Sequence, residues 1–311
     1  MQHLMGRPPT GTYGAWDRLG RTIERDAATD GVTAVWAWLM FWVPAVGGLL
    51  VAALLVHRRI YFWLLREDHP IEWIQFGECV FTCGVAALVA VHFARRRQLL
   101  WAAVMGVFAL GAFGLAGEEI SWGQRVLGLS HFVGGGRRVA DNRQGEFNLH
   151  NIASWHGIKI EDIFRIAETG IALVGTVLPL LTRLQRPRLH GRFWRFISPP
   201  LFTVPCFLIM LGYRLGRDVV SDRRPSIVRY QEWAEFCLYT GLVLTALLIY
   251  APLVRRASVG GPRHRAAADT ETPTLHLGEL RGAVFFAVFA TVLTVVLAIL
   301  TSLSGILPGN I

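Results

Sequence analysis

Charged residues are scarce in this chain, and lysine is almost absent. Charged side chains make up 17% of the 311 residues, hydrophobic ones make up 53%, and the single lysine is Lys159. A soluble domain of this length would carry more charge and would interrupt its apolar runs sooner. Several runs reach the ~20 residues that a helix needs to cross a bilayer. The composition therefore excludes an ordinary soluble enzyme and predicts a polytopic membrane protein.

Cysteine, basic charge and the N-terminal region exclude three further classes. The four cysteines all lie within apolar segments, which is not the pattern of a secreted disulfide framework. The net charge of +9 comes from arginines beside apolar segments, so we expect membrane lipids and not nucleic acid as partners. The first apolar run begins near Thr33 behind a charged leader and is long enough to remain as a signal-anchor helix. No cleavable signal peptide is therefore expected.

No strand-like alternation competes with the apolar segments, so we predict an all-α, polytopic transmembrane helix bundle of about seven spans. The predicted spans are 33–56, 71–94, 98–117, 163–184, 196–214, 233–254 and 282–305. Together they form a transmembrane domain over 33–305, preceded by a cytoplasmic leader, 1–32. The remaining predicted segments are a long extracytoplasmic loop, 118–162, a flexible cytoplasmic loop, 255–281, and an extracytoplasmic tail, 306–311.

Clusters of arginine set the predicted orientation. They precede the first span, follow the second, separate the fourth from the fifth and follow the sixth, which is the correct alternation for one face of a membrane. The positive-inside rule assigns this face to the cytoplasm, so the N-terminus is cytoplasmic and the C-terminus extracytoplasmic. The Arg-, Ala- and Gly-rich composition is typical of a GC-rich bacterial genome, which predicts a location in a bacterial inner (plasma) membrane.

Most of the 22 carboxylates lie in or beside the three extracytoplasmic connections. Ionisable groups at a membrane edge are costly unless they are paired or hydrated, so this collection indicates a site. The densest stretch begins with Glu118 and Glu119, where the third span ends. Two adjacent carboxylates at a helix C-terminus oppose the macrodipole and repel each other, so Arg125, a metal or a bound proton should compensate them. The alternative is a solvated helix end with one surface salt bridge.

A second polar stretch runs from Asn142 to His156. Within it Glu146 and His150 are four residues apart and would meet on a helix, where the acid could orient the imidazole or share a metal with it. A divalent metal such as zinc, held by Glu119 with these residues, fits the composition, although no HExxH pattern supports it. The alternative is that the same side chains hydrogen-bond the long loop to the bundle.

These two stretches and their neighbours give the candidate site residues. The candidate catalytic residues are Glu118, Glu119, Ser121, Gln124, Arg125, Glu146 and His150. The candidate substrate-binding residues are Glu72, Trp122, Asn142, Gln144, Asn148, Asn151 and Glu235. The candidate metal ligands are Glu119, His150 and His156.

The string Gly-Glu-Glu-Ile-Ser-Trp-Gly-Gln-Arg at 117–125, followed by Asn-x-Gln-Gly-Glu-x-Asn-Leu-His-Asn at 142–151, resembles a signature of uncharacterised bacterial multi-pass membrane proteins. The likeness covers about residues 60–160 and implies no established activity. The seven-span hydrolases related to alkaline ceramidase are similar in plan, with a comparable span number and a short acid-x-x-Ser motif. Their C-terminal His-x-x-x-His pair is missing, because 282–305 contains no histidine.

Three functions remain open from the sequence. The first is a hydrolase or transferase acting on a lipid or lipid-linked substrate at the extracytoplasmic side, with Glu119 and His150 as acid–base groups or metal ligands. The second is a transporter or proton-coupled carrier that uses buried carboxylates such as Glu78 and Glu168. The third is a non-enzymatic accessory or assembly protein whose long outer loop binds a partner. The oligomeric state is not predicted.

Overall fold

The protein is seen in a computed structural model that describes residues 15–66, 69–120, 160–184, 192–220 and 225–259. These residues form helices joined by short turns and contain no strand, as the sequence predicted. Five helical segments in them are long and apolar enough to cross a membrane. They are Ala34–Leu64, Pro70–Arg95, Leu99–Glu119, Asp162–Thr182 and Pro225–Ala251. The all-helical architecture with several candidate membrane-crossing helices is therefore confirmed.

The α-helices of the described residues are numbered in chain order. They are α1 (Ala15–Asp30), α2 (Ala34–Ala53), α3 (Arg58–Leu64), α4 (Pro70–Arg95), α5 (Leu99–Glu119), α6 (Ile160–Pro179), α7 (Arg192–Ile197), α8 (Val204–Val220) and α9 (Pro225–Val259). A 3-10 turn at Leu54–His57 joins α2 to α3, and a π-helical turn at Leu180–Leu184 extends α6. Thr33 caps α2 by accepting a bond from the Trp36 amide, and Pro70 starts α4, where its missing N–H costs nothing.

The predicted fifth span, 196–214, does not form one continuous helix. Helix α7 ends at Ile197, Pro199 and Pro200 follow, and α8 begins only at Val204. Two consecutive prolines lack amide donors and disfavour helical backbone in the residue before each of them, so the break follows from the sequence. A carboxylate oxygen of Asp26 on α1 accepts a 2.7 Å bond from the Leu201 amide and satisfies the buried start of the next turn.

Two other segments are longer than predicted, and several lie outside the described residues. The first helical segment continues to Leu64 instead of ending at residue 56, and α9 begins at Pro225 instead of 233.

The seventh span, 282–305, most of the long loop and the flexible loop beyond residue 259 lie outside the part of the chain that the structure describes. Span number and membrane orientation therefore stay predictions.

The core lies between α4, α5, α6, α8 and α9. Helix α4 packs along α5 and α9, while α8 packs against both α6 and α9. Phe207 lies at the centre of this packing, against two glycines, since a Cβ at either Gly175 or Gly241 would fall on its ring. On the outside, Leu49, Val107 and Leu110 are each more than 70% exposed. Apolar side chains exposed to this degree fit a surface solvated by lipid.

Chain direction gives the bundle two chemically different ends. At one end of the bundle, helices α4, α6 and α9 begin and helices α5 and α8 end. We call it the acidic end, and long-range polar contacts join these helices there. The opposite end carries Arg95, Arg96 and Arg97 between α4 and α5. This separation positions the candidate site.

Candidate functional site

Glu119, in the last turn of α5, is held inside the bundle by a tyrosine of α9. The Tyr239 hydroxyl donates a 2.9 Å hydrogen bond to Glu119 Oε1, and Tyr239 is only 2% exposed. Glu235, Glu232 and Glu72 lie close enough to act electrostatically on the Glu119 carboxyl. Three residues that the sequence singled out, Glu72, Glu119 and Glu235, therefore come together from α4, α5 and α9.

A buried arginine joins three helices beside this contact. Arg214 of α8 forms an ion pair with Glu168 of α6, and its Nη2 lies 3.5 Å from Glu235 Oε1 of α9. All three residues are buried, with exposures of 6–8%. A buried ion pair is costly to form and costlier to break, because removal of one partner leaves an uncompensated charge. Arg214 therefore fixes the relative positions of α6, α8 and α9.

A chain of amide and guanidinium contacts continues towards the acidic end. Gln231 Nε2 donates to Glu235 Oε1 at 2.6 Å, and Arg217 Nη1 donates to Gln231 Oε1 at 2.8 Å. Glu235 thus accepts a hydrogen bond from Gln231 of its own helix and forms an ion pair with Arg214 of α8. We call Glu119, Glu168, Arg214, Glu235 and Tyr239 the carboxylate cluster.

The carboxylate cluster borders an apolar groove of about 760 Å³ between α5 and α6. Val107, Gly111 and Leu115 line it from α5, and Ile171 and Val174 line it from α6. Glu168 also belongs to the lining, so the same carboxylate lies at the wall of the groove and in the carboxylate cluster. A cavity of this size, mainly apolar with few polar groups, is typical of a ligand site.

Depth in the membrane follows from helix geometry. The rise of an α-helix places Glu78 ~25 Å from Arg95 along α4. Thr240 of α9 donates to Glu78 at 2.6 Å, and the neighbouring Tyr239 contacts Glu119, so Glu78 and Glu119 lie at similar depths. With Arg95 at one boundary of a hydrocarbon core ~30 Å thick, this level would lie in the third of the core that is furthest from Arg95.

Most of the predicted catalytic, substrate-binding and metal-binding residues are outside the described part of the chain. These are Ser121, Trp122, Gln124, Arg125, Asn142, Gln144, Glu146, Asn148, His150, Asn151 and His156. Glu118 is described and is 7% exposed. Among the described residues no group of three or more His, Cys, Asp or Glu is arranged to hold a metal. A zinc site built from Glu119, His150 and His156 stays a prediction.

Three members of the carboxylate cluster, Glu168, Arg214 and Tyr239, were not among the predicted site residues, and Glu168 was named only for the carrier function. Arg214 lies at the end of a predicted span, where its charge was attributed to a loop, but α8 continues to Val220 and buries it. Tyr239 lies one helical turn from Glu235, so the two face the same side of α9. An arginine inside an apolar helix is the signal that could have identified Arg214, because such residues are rare without a function.

No protein-family model, curated protein or solved structure matches the chain. The resemblance to uncharacterised bacterial membrane proteins therefore stays a prediction carried by the motifs themselves.

Proposed function

We propose that the protein is a membrane-embedded enzyme, a hydrolase or transferase, that acts on a lipid or lipid-linked substrate from the extracytoplasmic side of a bacterial plasma membrane. The observation that carries this proposal is the position of Glu168, which lines the apolar groove and also pairs with Arg214. A lipid chain in the groove would place its polar end beside the carboxylate cluster. A charged site within the hydrocarbon region that adjoins an apolar groove suits an amphipathic substrate.

The carboxylate cluster divides into groups with different roles in this proposal. Glu119 acts as the general base or acid, and Tyr239 orients it through the 2.9 Å hydrogen bond. Arg214 keeps Glu168 and Glu235 in place beside the groove, and Arg125 would stabilise negative charge that develops on the substrate. His150 and Glu146 of the loop would complete the acid–base pair, with a divalent metal such as zinc as one way of joining them.

Extracytoplasmic placement is supported by charge. The acidic end holds the carboxylate cluster, whereas Arg95, Arg96 and Arg97 lie at the opposite end, where the positive-inside rule expects cytoplasm. A cytoplasmic nucleotide would therefore not reach the cluster.

The test is product formation from defined lipids. The purified full chain is reconstituted in liposomes of a phospholipid extract containing a polyprenyl phosphate, and lipid products are followed by mass spectrometry. Glu119→Gln should reduce the rate by about 10²–10⁴-fold, the usual contribution of a positioned acid–base group. Glu24→Gln is the matched control, because the same change falls on an exposed residue of α1 and should leave the rate unchanged. Equal rates in wild type and Glu119→Gln, with product formed, would exclude this role.

A proton-coupled carrier is the second candidate. It is favoured by Glu78, which is held at the depth of the cluster by Thr240 alone among the described side chains. Proton uptake into proteoliposomes that form no lipid product would favour the carrier over the enzyme.

A further inference from the structure

The threonines of the helices differ in where their hydroxyl groups point. Four of them, Thr169, Thr176, Thr182 and Thr245, donate to the carbonyl four residues earlier at 2.7–2.8 Å. This local bond is the usual way in which a helical threonine satisfies its hydroxyl. Thr82, 1% exposed on α4, makes no such bond and has no hydrogen-bond partner among the described residues. Its hydroxyl is therefore available to a ligand inside the bundle.

Thr82 is one of three residues with a buried side-chain oxygen on the same face of α4. Gln75 Oε1, Glu78 Oε2 and Thr82 Oγ1 are each buried and have no hydrogen-bond partner within the described part of the chain. Their spacing of three, four and seven residues places them along one side of the helix. That side faces α9, since Gln75 Nε2 donates to the Glu232 carbonyl at 2.8 Å and Thr240 donates to Glu78 Oε1.

Buried polar atoms almost always have partners, so three in a row on one helix face indicate a specific ligand. A glutamine Oε1 and an ionised carboxylate accept hydrogen bonds but cannot donate them, and only the threonine hydroxyl can do both. The three atoms therefore cannot all be satisfied within the group when Glu78 is ionised, because the Thr82 hydroxyl can donate to only one of the two other oxygens. What they lack is a positively charged or proton-donating group.

The surroundings of Glu78 provide no positive charge within the described residues. Its electrostatic neighbours are the thiols of Cys79, Cys206 and Cys237, from α4, α8 and α9, and the acids Glu119 and Glu235 also act on the Cys79 thiol. A buried carboxylate without a compensating charge is strongly unfavourable. One carboxylate with neutral oxygen neighbours matches a single positive charge, whereas calcium and magnesium sites use more carboxylates or several waters.

We propose that Glu78, Gln75 and Thr82 form a binding site for a monovalent cation, H⁺ or Na⁺, between α4 and α9. A proton is held on Glu78 Oε2, and the resulting O–H donates towards Gln75 Oε1 or Thr82 Oγ1. A sodium ion is coordinated by Glu78 Oε2 together with the neutral oxygens Gln75 Oε1 and Thr82 Oγ1. The site does not depend on the lipid reaction proposed above, and its test does not require a substrate.

Thermal unfolding of the full chain in detergent distinguishes the two cations. Tm is measured in NaCl and in choline chloride at equal ionic strength, from about pH 5 to 9. A sodium site raises Tm by ~2 °C per tenfold increase in free Na⁺ above its Kd, in NaCl only. A proton site gives identical curves in both salts and a Tm that falls as pH rises through the range in which Glu78 loses its proton.

Substitutions assign the effect to this site. Glu78→Gln keeps an acceptor for Thr240 but removes the charge, so it should abolish the Na⁺-dependent or pH-dependent part of Tm that wild type shows. The other acids of the bundle titrate in both proteins, so the difference between the two curves isolates Glu78. Thr82→Val should weaken the same dependence, while Thr176→Val, which removes a buried hydroxyl already bonded to its own helix, should leave it intact.

Two results would overturn the proposal. One is that wild type and Glu78→Gln depend identically on both pH and Na⁺. The other is that Thr82→Val is more stable than wild type and keeps the full cation dependence, because its hydroxyl would then be an unsatisfied buried group with no ligand. If Glu78→Gln does not fold, the comparison of Thr82→Val with Thr176→Val decides the question.

Discussion

Arg214 offers the sharpest test of how the bundle is held together. It is the buried arginine of the described residues, and it compensates two carboxylates, Glu168 and Glu235, on two other helices. Arg214→Met preserves the length and apolar volume of the side chain while it removes the charge. The two carboxylates are then left near each other at 8% exposure with no guanidinium between them. We therefore expect Arg214→Met to be strongly destabilising.

The magnitude follows from the burial of the pair. Removal of one partner from a buried ion pair costs ~3–5 kcal/mol. For a chain of this size such a loss lowers Tm by about 5–8 °C. The matched control is Arg165→Met, because Arg165 pairs with Asp162 at 2.8 Å on α6, but their side chains are 49% and 41% exposed. An exposed pair contributes less than ~1 kcal/mol, so this variant should stay close to wild type.

The assay is tryptophan fluorescence during thermal unfolding of both variants in the same detergent. A third protein, Arg214→Met with Glu168→Gln and Glu235→Gln, removes the charge from all three partners and should recover much of the lost stability. The reasoning would be refuted if Arg214→Met and Arg165→Met lowered Tm equally, or if the triple variant were less stable than Arg214→Met alone.

Two further predictions concern packing and protonation. Gly175→Ala should destabilise the bundle by ~1–3 kcal/mol because its Cβ would fall on the Phe207 ring. The control is Gly170→Ala, whose Cβ would meet nothing within 4 Å and which should be neutral. Equal Tm values for the two variants would contradict this prediction. Partial burial, with the nearby Arg66, lowers the pKa of His69 from its ordinary value of 6.5. The unfolded chain therefore binds a proton at His69 more readily than the folded chain does. The free energy of unfolding that His69 contributes is fully present above pH 6.5 and decreases as the pH falls below it. An NMR titration should give a His69 midpoint below 6.5 that rises in Arg66→Gln, and a midpoint at or above 6.5 in wild type would be inconsistent with this environment.

The sequence was sufficient for the transmembrane helices because their signal is local. A run of ~20 apolar residues leaves a helix as the one way to satisfy backbone hydrogen bonds in lipid, so α4 and α5 agree with the predicted 71–94 and 98–117 within a few residues. The fifth span was wrong as one helix because hydropathy averages over Pro199 and Pro200. The proline pair is itself a local signal, and it would have divided this segment correctly if it had been weighed above hydropathy.

The site was less predictable because its contacts are long-range. The bond between Glu119 and Tyr239 joins residues 120 positions apart, and the ion pair between Glu168 and Arg214 joins residues 46 positions apart. Helical spacing shows which residues share a face of one helix. It does not show which face of another helix packs against that face. Sequence reasoning therefore placed Glu119 and Glu235 in the site separately, while Arg214, which joins α6, α8 and α9, required the fold.

The position of Glu119 changes the argument about its compensation. The sequence predicted that two adjacent acids at a helix end need a positive charge, a metal or a proton. Tyr239 supplies a hydrogen bond, which satisfies one oxygen but leaves the charge in place. Arg214 is already committed to Glu168 and Glu235. Within the described residues the buried acids therefore exceed the buried cations, and the remaining charge must be met by protons, by a bound cation or by the loop that follows α5. An enzyme and a carrier both require such an excess, and they differ in whether the compensating charge leaves with each turnover.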